Sequence, residues 1–361
     1  MTDSRCYLDA VSGQPWQAAA IDSLAAGARL SFAAGSGVHF EAATSRNLVA
    51  ESLNSLAVSL GTQASDIIAV HGLGNACRIA VSGVTAHEQV AISSISRQGM
   101  LQAAKAVAPE LKPMSVDGEG FLERFESADV LIVQAGNPEV GTLDDLSTLR
   151  AQHPKALMVV DATEWVGRMP SLPDGDIVIA RASSWAGPSS VCFIITNSSL
   201  GRERMPSMNK RQRSMIAPDP VLLVAAATAL ENQRTNAHAN SNAFSTIAQL
   251  RQEISEINDV DVHGHETSRL PHVLSFSVLH LDSEALASEL DRRGFSVGSG
   301  SACLSDDGQP SHVLAAMKRL THGNVRVSLP LDFDVNNVNR FIGALRETID
   351  HLRTSTGVQN V

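Results

Sequence analysis

Leu157-Met158-Val159-Val160-Asp161-Ala162-Thr163-Glu164 joins a four-residue apolar run to a short turn of acidic and small residues. A run this short and this apolar reads as a strand buried on both faces. Similar runs recur at 67–70, 89–92, 130–133, 177–180 and 191–195, separated by helical stretches such as 143–152. The alternation predicts a mostly parallel sheet with helices on both faces. Ligands in such open sheets lie beyond the carboxyl ends of the strands. Four segments fall there: Gly72-Leu73-Gly74-Asn75, Asn137-Pro138-Glu139, Asp161-Ala162-Thr163-Glu164 and Arg181-Ala182-Ser183-Ser184.

Further along, the Ala-rich stretch 218–240 predicts a long helix leading out of the sheet. A second region follows, with an alternating strand at 273–278 and an amphipathic helix at 283–292 that carries Leu286, Ala287 and Leu290 on one stripe. A strand at 324–329 and a final helix at 336–353 complete it. Between them lies Val297-Gly298-Ser299-Gly300-Ser301-Ala302-Cys303-Leu304-Ser305. Its glycines and serines predict a mobile perch for a thiol that meets a substrate, or an ordinary surface loop that holds a cysteine.

With 361 residues and 43% hydrophobic content, the chain is long enough for two cores. Its net charge of −10, from 28 basic and 38 acidic residues, repels polyanions and argues against nucleic acid or an anionic membrane as partner. No run of about 18 apolar residues and no secretory leader stands in the sequence, which predicts a cytoplasmic protein. Cys6, Cys77, Cys192 and Cys303 are scattered without zinc-site spacing, so neither disulfides nor a metal site is expected.

Eight landmarks, in order, resemble the cysteine desulfurases, a branch of the class-V aminotransferases among the fold-type-I pyridoxal phosphate (PLP) enzymes. They are Tyr7-Leu8-Asp9, the 67–75 strand and turn, Asn137-Pro138-Glu139-Val140-Gly141, Val160-Asp161-Ala162-Thr163-Glu164, Gly187-Pro188, Gly300-Ser301-Ala302-Cys303, Ser311-His312-Val313-Leu314 and Val325-Arg326-Val327-Ser328. The resemblance implies a large cofactor-type domain over 15–245 and a smaller α+β domain from 1–14 and 246–361 that carries the cysteine loop. It also implies a homodimer and a sulfur-acceptor or Fe–S scaffold protein as partner. In that family PLP on a lysine activates cysteine, and a mobile thiolate takes its sulfur as a persulfide. Cys303 stands at the nucleophile's place. Asp161 stands where the pyridine nitrogen is paired, or simply caps the next turn. Arg326 stands where the substrate carboxylate is gripped, or forms a structural ion pair.

The departures gather around one cofactor. Ser184 occupies the lysine position, and a serine forms no imine. The chain has five lysines, Lys105, Lys112, Lys155, Lys210 and Lys318, none of them at this place. Gly74 stands for a phosphate-binding threonine, although Gly72, Gly74 and Asn75 still offer a helix start to an anion. Arg97 stands for the ring-stacking histidine, Pro138 for an asparagine, Glu164 for a glutamine and Ile216 for a threonine. Three functions stay open: a degenerate homologue with Cys303 as persulfide carrier and no covalent PLP; an enzyme holding PLP or another anion non-covalently on Arg97, Arg181, Ser183 and Ser184; or a scaffold whose cleft is packed by Glu164, Trp165 and Trp185.

Overall fold

The computed structural model describes residues 5–85, 87–235, 238–299 and 310–356. In chain order, the first half runs β1 (Cys6–Leu8), α1 (Ala18–Ala28), α2 (Phe40–Leu60), β2 (Ile67–His71), α3 (Leu73–Ala80), β3 (Val90–Ser93), α4 (Gln98–Val107), β4 (Leu111–Met114), β5 (Val130–Gln134), α5 (Leu146–Gln152), β6 (Leu157–Asp161) and β7 (Ile177–Arg181). The second half runs β8 (Val191–Thr196), α6 (Ser199–Arg204), α7 (Lys210–Ile216), α8 (Pro220–Thr235), α9 (His238–Ser255), β9 (Val260–His263), β10 (Val273–Val278), α10 (Ser283–Arg292), β11 (Phe295–Ser299), α11 (His312–Ala316), β12 (Asn324–Ser328) and α12 (Asn337–Thr356).

Seven strands form one sheet in the order β2-β8-β7-β6-β5-β3-β4. Only β8 is antiparallel to its neighbours. The expected doubly covered sheet is present, and residue alternation explains why both faces are apolar. Leu131, Val133, Met158 and Val160 face a core with Leu56, Leu223 and the small residues Ala225, Ala226 and Ala229 of α8. Val130, Ile132, Leu157 and Val159 face the opposite core, with Cys77 of α3 and Met100 of α4.

The second sheet, β1-β11-β12-β10-β9, joins the chain's beginning to its C-terminal third. β1 lies parallel to β11, whereas the β11–β12, β12–β10 and β10–β9 pairs are antiparallel. Its core gathers Leu8, Leu274, Phe276, Leu286, Leu290, Phe341 and Leu345, together with Ile247, Leu250 and Ile254 of α9.

One strand was not expected: the stretch 111–114 is a strand although Lys112 and Pro113 dilute its apolar character, and as an edge strand it accommodates both. The helix expected over 218–240 is described as α8 from Pro220 to Thr235 and α9 from His238; Asp219 caps the start by accepting from the Val221 N–H at 3.0 Å, and Pro220 opens it.

Trp185 sits at the bottom of the large core, stacked on Phe193 with centroids 5.9 Å apart, and its indole N–H donates to the Ala226 carbonyl at 3.0 Å. Gly167 approaches it so closely that a methyl group there would lie 2.7 Å from the Trp185 Cβ, at a left-handed φ of 84°. Gly167→Ala is therefore expected to cost roughly 2–4 kcal/mol in urea unfolding, from left-handed strain and overpacking together.

Candidate functional site

The carboxyl ends of β6 and β7 and the start of α4 meet on one buried floor. Asp161, the last residue of β6, uses both carboxylate oxygens. Oδ1 accepts from the Thr163 N–H at 3.0 Å and the Thr163 hydroxyl at 2.6 Å, and Oδ2 accepts from Arg97 Nε at 3.3 Å. Arg97 caps the start of α4, and its Nη2 donates to Thr163 Oγ1 at 2.9 Å and lies 3.6 Å from Glu164 Oε1. Its side chain is 13% exposed, while those of Asp161 and Glu164 are 3% exposed. Burial works against the Arg97 cation, but Asp161 and Glu164 more than offset that and hold its pKa above the ordinary guanidinium value.

Glu164 reaches His272 on its other side, with Oε2 3.6 Å from Nε2. Burial pushes the Glu164 carboxyl up to about 7, against the pull of Arg97, Arg181 and Arg326. His272 is held well below 6.5 by burial and by Arg168 and Arg326, which keeps the imidazole neutral. Neither His272 nor Arg168 stood out in the sequence, because His272 lies far along the chain from Glu164 and Arg168 finds its partners at Ser184 and Leu329, 16 and 161 residues away.

Ser183 and Ser184 lie in the short 3₁₀ turn Ala182–Trp185 after β7, and both are buried. The Ser183 carbonyl accepts from Gln14 Nε2 at 2.7 Å, and that of Ser184 accepts from Arg168 Nε at 3.0 Å. The Ser184 hydroxyl has no hydrogen-bond partner among the described residues. Lys105, Lys112, Lys155 and Lys318 are exposed, and Lys112 and Lys155 stand at the opposite end of the sheet, where β4 and β6 begin.

The helix start at α3 offers less than its glycines suggest. Gly72, at φ 83°, spends its N–H on the Ser190 carbonyl at 2.7 Å, because β8 runs alongside β2 there. The Asn75 amide folds back onto the His71 carbonyl at 2.8 Å. Gly74 faces open space, with nothing within 4 Å of an added methyl group.

Arg326, on β12, takes the ion pair that the sequence left as one alternative. Its Nη2 donates to Asp9 Oδ1 at 2.7 Å and Ser12 Oγ at 3.0 Å, while Nε has no partner among the described residues. Asp9 was legible only as part of a strand, since its partner lies 317 residues away.

Cys303 lies outside the described residues, but both flanks of its segment are fixed at this cleft. On the near side Gly298 of β11 pairs in register with Arg326. On the far side the Ser311 hydroxyl donates to Glu139, and a ring nitrogen of His312 lies 3.0 Å from the Ser96 carbonyl. Burial pushes the Glu139 carboxyl up to about 7, against the Ser311 hydrogen bond and Arg326. The other cysteines are free and buried. Burial raises Cys6 to about 11 and both Cys77 and Cys192 to about 12, so none is a thiolate at neutral pH.

Residues 214–341 match the family model "Aminotransferase class-V". Over nearly its whole length the chain is 23% identical to a cysteine desulfurase IscS of Dictyoglomus turgidum, covering 96% of this chain and 95% of that one. Along nearly its whole length the chain is similar to cysteine desulfurases. A putative cysteine desulfurase IscS 1 of Bacillus subtilis is 24% identical, over 92% of this chain and 94% of its own length. Among solved structures, a NifS-like protein of Rickettsia africae superposes with a TM-score of 0.82 over 96% of this chain and 99% of that chain, at 18% identity. An apo cysteine desulfurase from Thermococcus onnurineus does so with 0.79, over 96% and 95%, at 16%. These likenesses establish a fold-type-I PLP-enzyme architecture, and the family implies a PLP cofactor. Among the described residues no helix is long and apolar enough to cross a membrane.

The raised carboxyls and lowered histidines give stability a signed pH dependence. Glu139 and Glu164 have folded values above their ordinary 4.5, so their contribution is full below about 4.5 and is lost as pH rises through about 7. His272 and His263, held below 6.5, act oppositely: their contribution is present above about 6.5 and lost as pH falls. Because the two effects offset one another in the whole protein, the difference between variant and parent isolates one group. Glu139→Gln is expected to gain thermal stability relative to the parent as pH rises from 5 to 8, and a pH-independent difference in Tm contradicts the assignment.

Proposed function

We propose that this chain is a cysteine desulfurase homologue that has given up Schiff-base chemistry and works through its thiol. In this reading it is a homodimeric cytoplasmic subunit that accepts, holds or relays persulfide sulfur at Cys303, for an acceptor or scaffold in iron–sulfur or thiocofactor assembly. The observation that carries the reading is the state of Asp161: its carboxylate is filled from within by Arg97 and Thr163. PLP needs an amine for its imine, a carboxylate free for its ring nitrogen and donors for its phosphate. Ser184 offers no amine, Asp161 is occupied, and the Gly72 N–H is spent on Ser190. These features together tell against PLP as this chain's cofactor.

Two observations favour the thiol. Cys6, Cys77 and Cys192 are buried and protonated, which leaves Cys303 to do any thiolate chemistry. The segment that holds it is anchored on both sides at the cleft rim, by Gly298 beside Arg326 and by Ser311 on Glu139. The reaction is a thiol exchange. The Cys303 thiolate attacks the outer sulfur of a donor persulfide, a new S–S bond forms as the donor's breaks, and the donor leaves as a thiolate. The alternative of an anion held by Arg97 and Arg181 has less support, since Arg97 is paired with carboxylates and Arg181 donates to the Ser189 carbonyl at 3.2 Å.

Native alkylation is expected to label one thiol per chain, and Cys303→Ser to abolish that label. Intact mass after incubation with a small persulfide donor should show one added sulfur atom in the parent and none in the variant. Equal sulfur uptake by Cys303→Ser removes the proposed carrier.

A further inference from the structure

Every cofactor-type floor needs a counter-charge for its buried carboxylate, and in this chain the counter-charge comes from the next helix. Arg97 presents Nε and Nη2, the two nitrogens of one guanidinium edge, to three acceptors on a single turn: Asp161 Oδ2 at 3.3 Å, Thr163 Oγ1 at 2.9 Å and Glu164 Oε1 at 3.6 Å. Three acceptors along one flat edge match a planar cation with adjacent N–H donors, and they do not match a spherical ammonium. Two of the acceptors hold one another apart from Arg97. Thr163 is held on Asp161 Oδ1, and Glu164 stands between Arg97 and His272. The far side of the floor is sealed by the buried thiols of Cys77 and Cys192, which offer no competing charge.

The geometry points to Arg97 as a built-in ligand: the turn Asp161–Thr163–Glu164 is a receptor for a flat amidinium-type cation, and the chain fills it with its own guanidinium. This deepens the reading above, for it explains how a desulfurase-type floor stays folded without a small molecule. Removing the Arg97 side chain should uncover a site for free cations of the same shape. Such a site binds methylguanidinium and rejects tetramethylammonium, which carries equal charge without N–H donors.

Thermal unfolding of the full chain tests this. Arg97→Ala strands two buried carboxylates and is expected to lower Tm by roughly 5–10 °C. Methylguanidinium, on the order of 10 mM, should restore a large part of that loss in a saturable way, leaving the parent unchanged. Tetramethylammonium should restore none. The double variant Arg97→Ala/Asp161→Asn should be more stable than Arg97→Ala and lose the response; it also serves if the single variant fails to accumulate, because it then recovers folded protein. An Arg97→Ala chain as stable as the parent, a rescue equal for both cations, or a double variant no better than the single overturns the inference. Sulfur uptake at Cys303 is measured separately, so either idea can fail alone.

Discussion

The buried ion pair between Arg97 and Asp161 is the interaction on which the rest of the site depends. β6 delivers Asp161 to the middle of a sheet whose strands are apolar on both faces, where a lone carboxylate would be severely destabilising. A neighbour must neutralise it. The first residue before α4 does so, tying the end of one central strand to the start of a helix across the crevice. Glu164 and His272 are then ordered around the same cation, and through His272 and Arg168 the floor is joined to the second sheet.

A second ion pair plays a parallel part between the two sheets' surroundings. Asp9, just after β1, holds Arg326 on β12 with Ser12, and Gly298 leaves room for the guanidinium, since a methyl group there would lie 3.0 Å from its Nη2. The chain's beginning is thus locked into the wall beside the cysteine segment. This chain shares its overall fold with the solved NifS-like structures.

Much of the frame was legible because it follows local rules. Apolar runs of four to six residues became β2, β3, β5, β6, β7 and β8, and their ends marked the floor. The strand at 111–114 was not legible, since Lys112 and Pro113 hide an edge position that only its pairing with β3 defines. That Ser184 stands where the resemblance implies a lysine is a reading of residue order alone. The use made of Arg97 could not: it reaches across 64 residues to Asp161, and nothing near position 97 announces that partner. The same holds for Asp9 with Arg326 and for Ser311 with Glu139, pairs separated by 317 and 172 residues. Sequence order singled out the residues of the floor, and packing showed what each of them touches.

The central claim is that the floor at Asp161 is complete without a cofactor. The most direct measurement is the visible absorbance of the purified chain after saturation with PLP and removal of the excess by gel filtration. The account predicts a spectrum of protein alone. A cofactor band persisting at one equivalent per chain would contradict it.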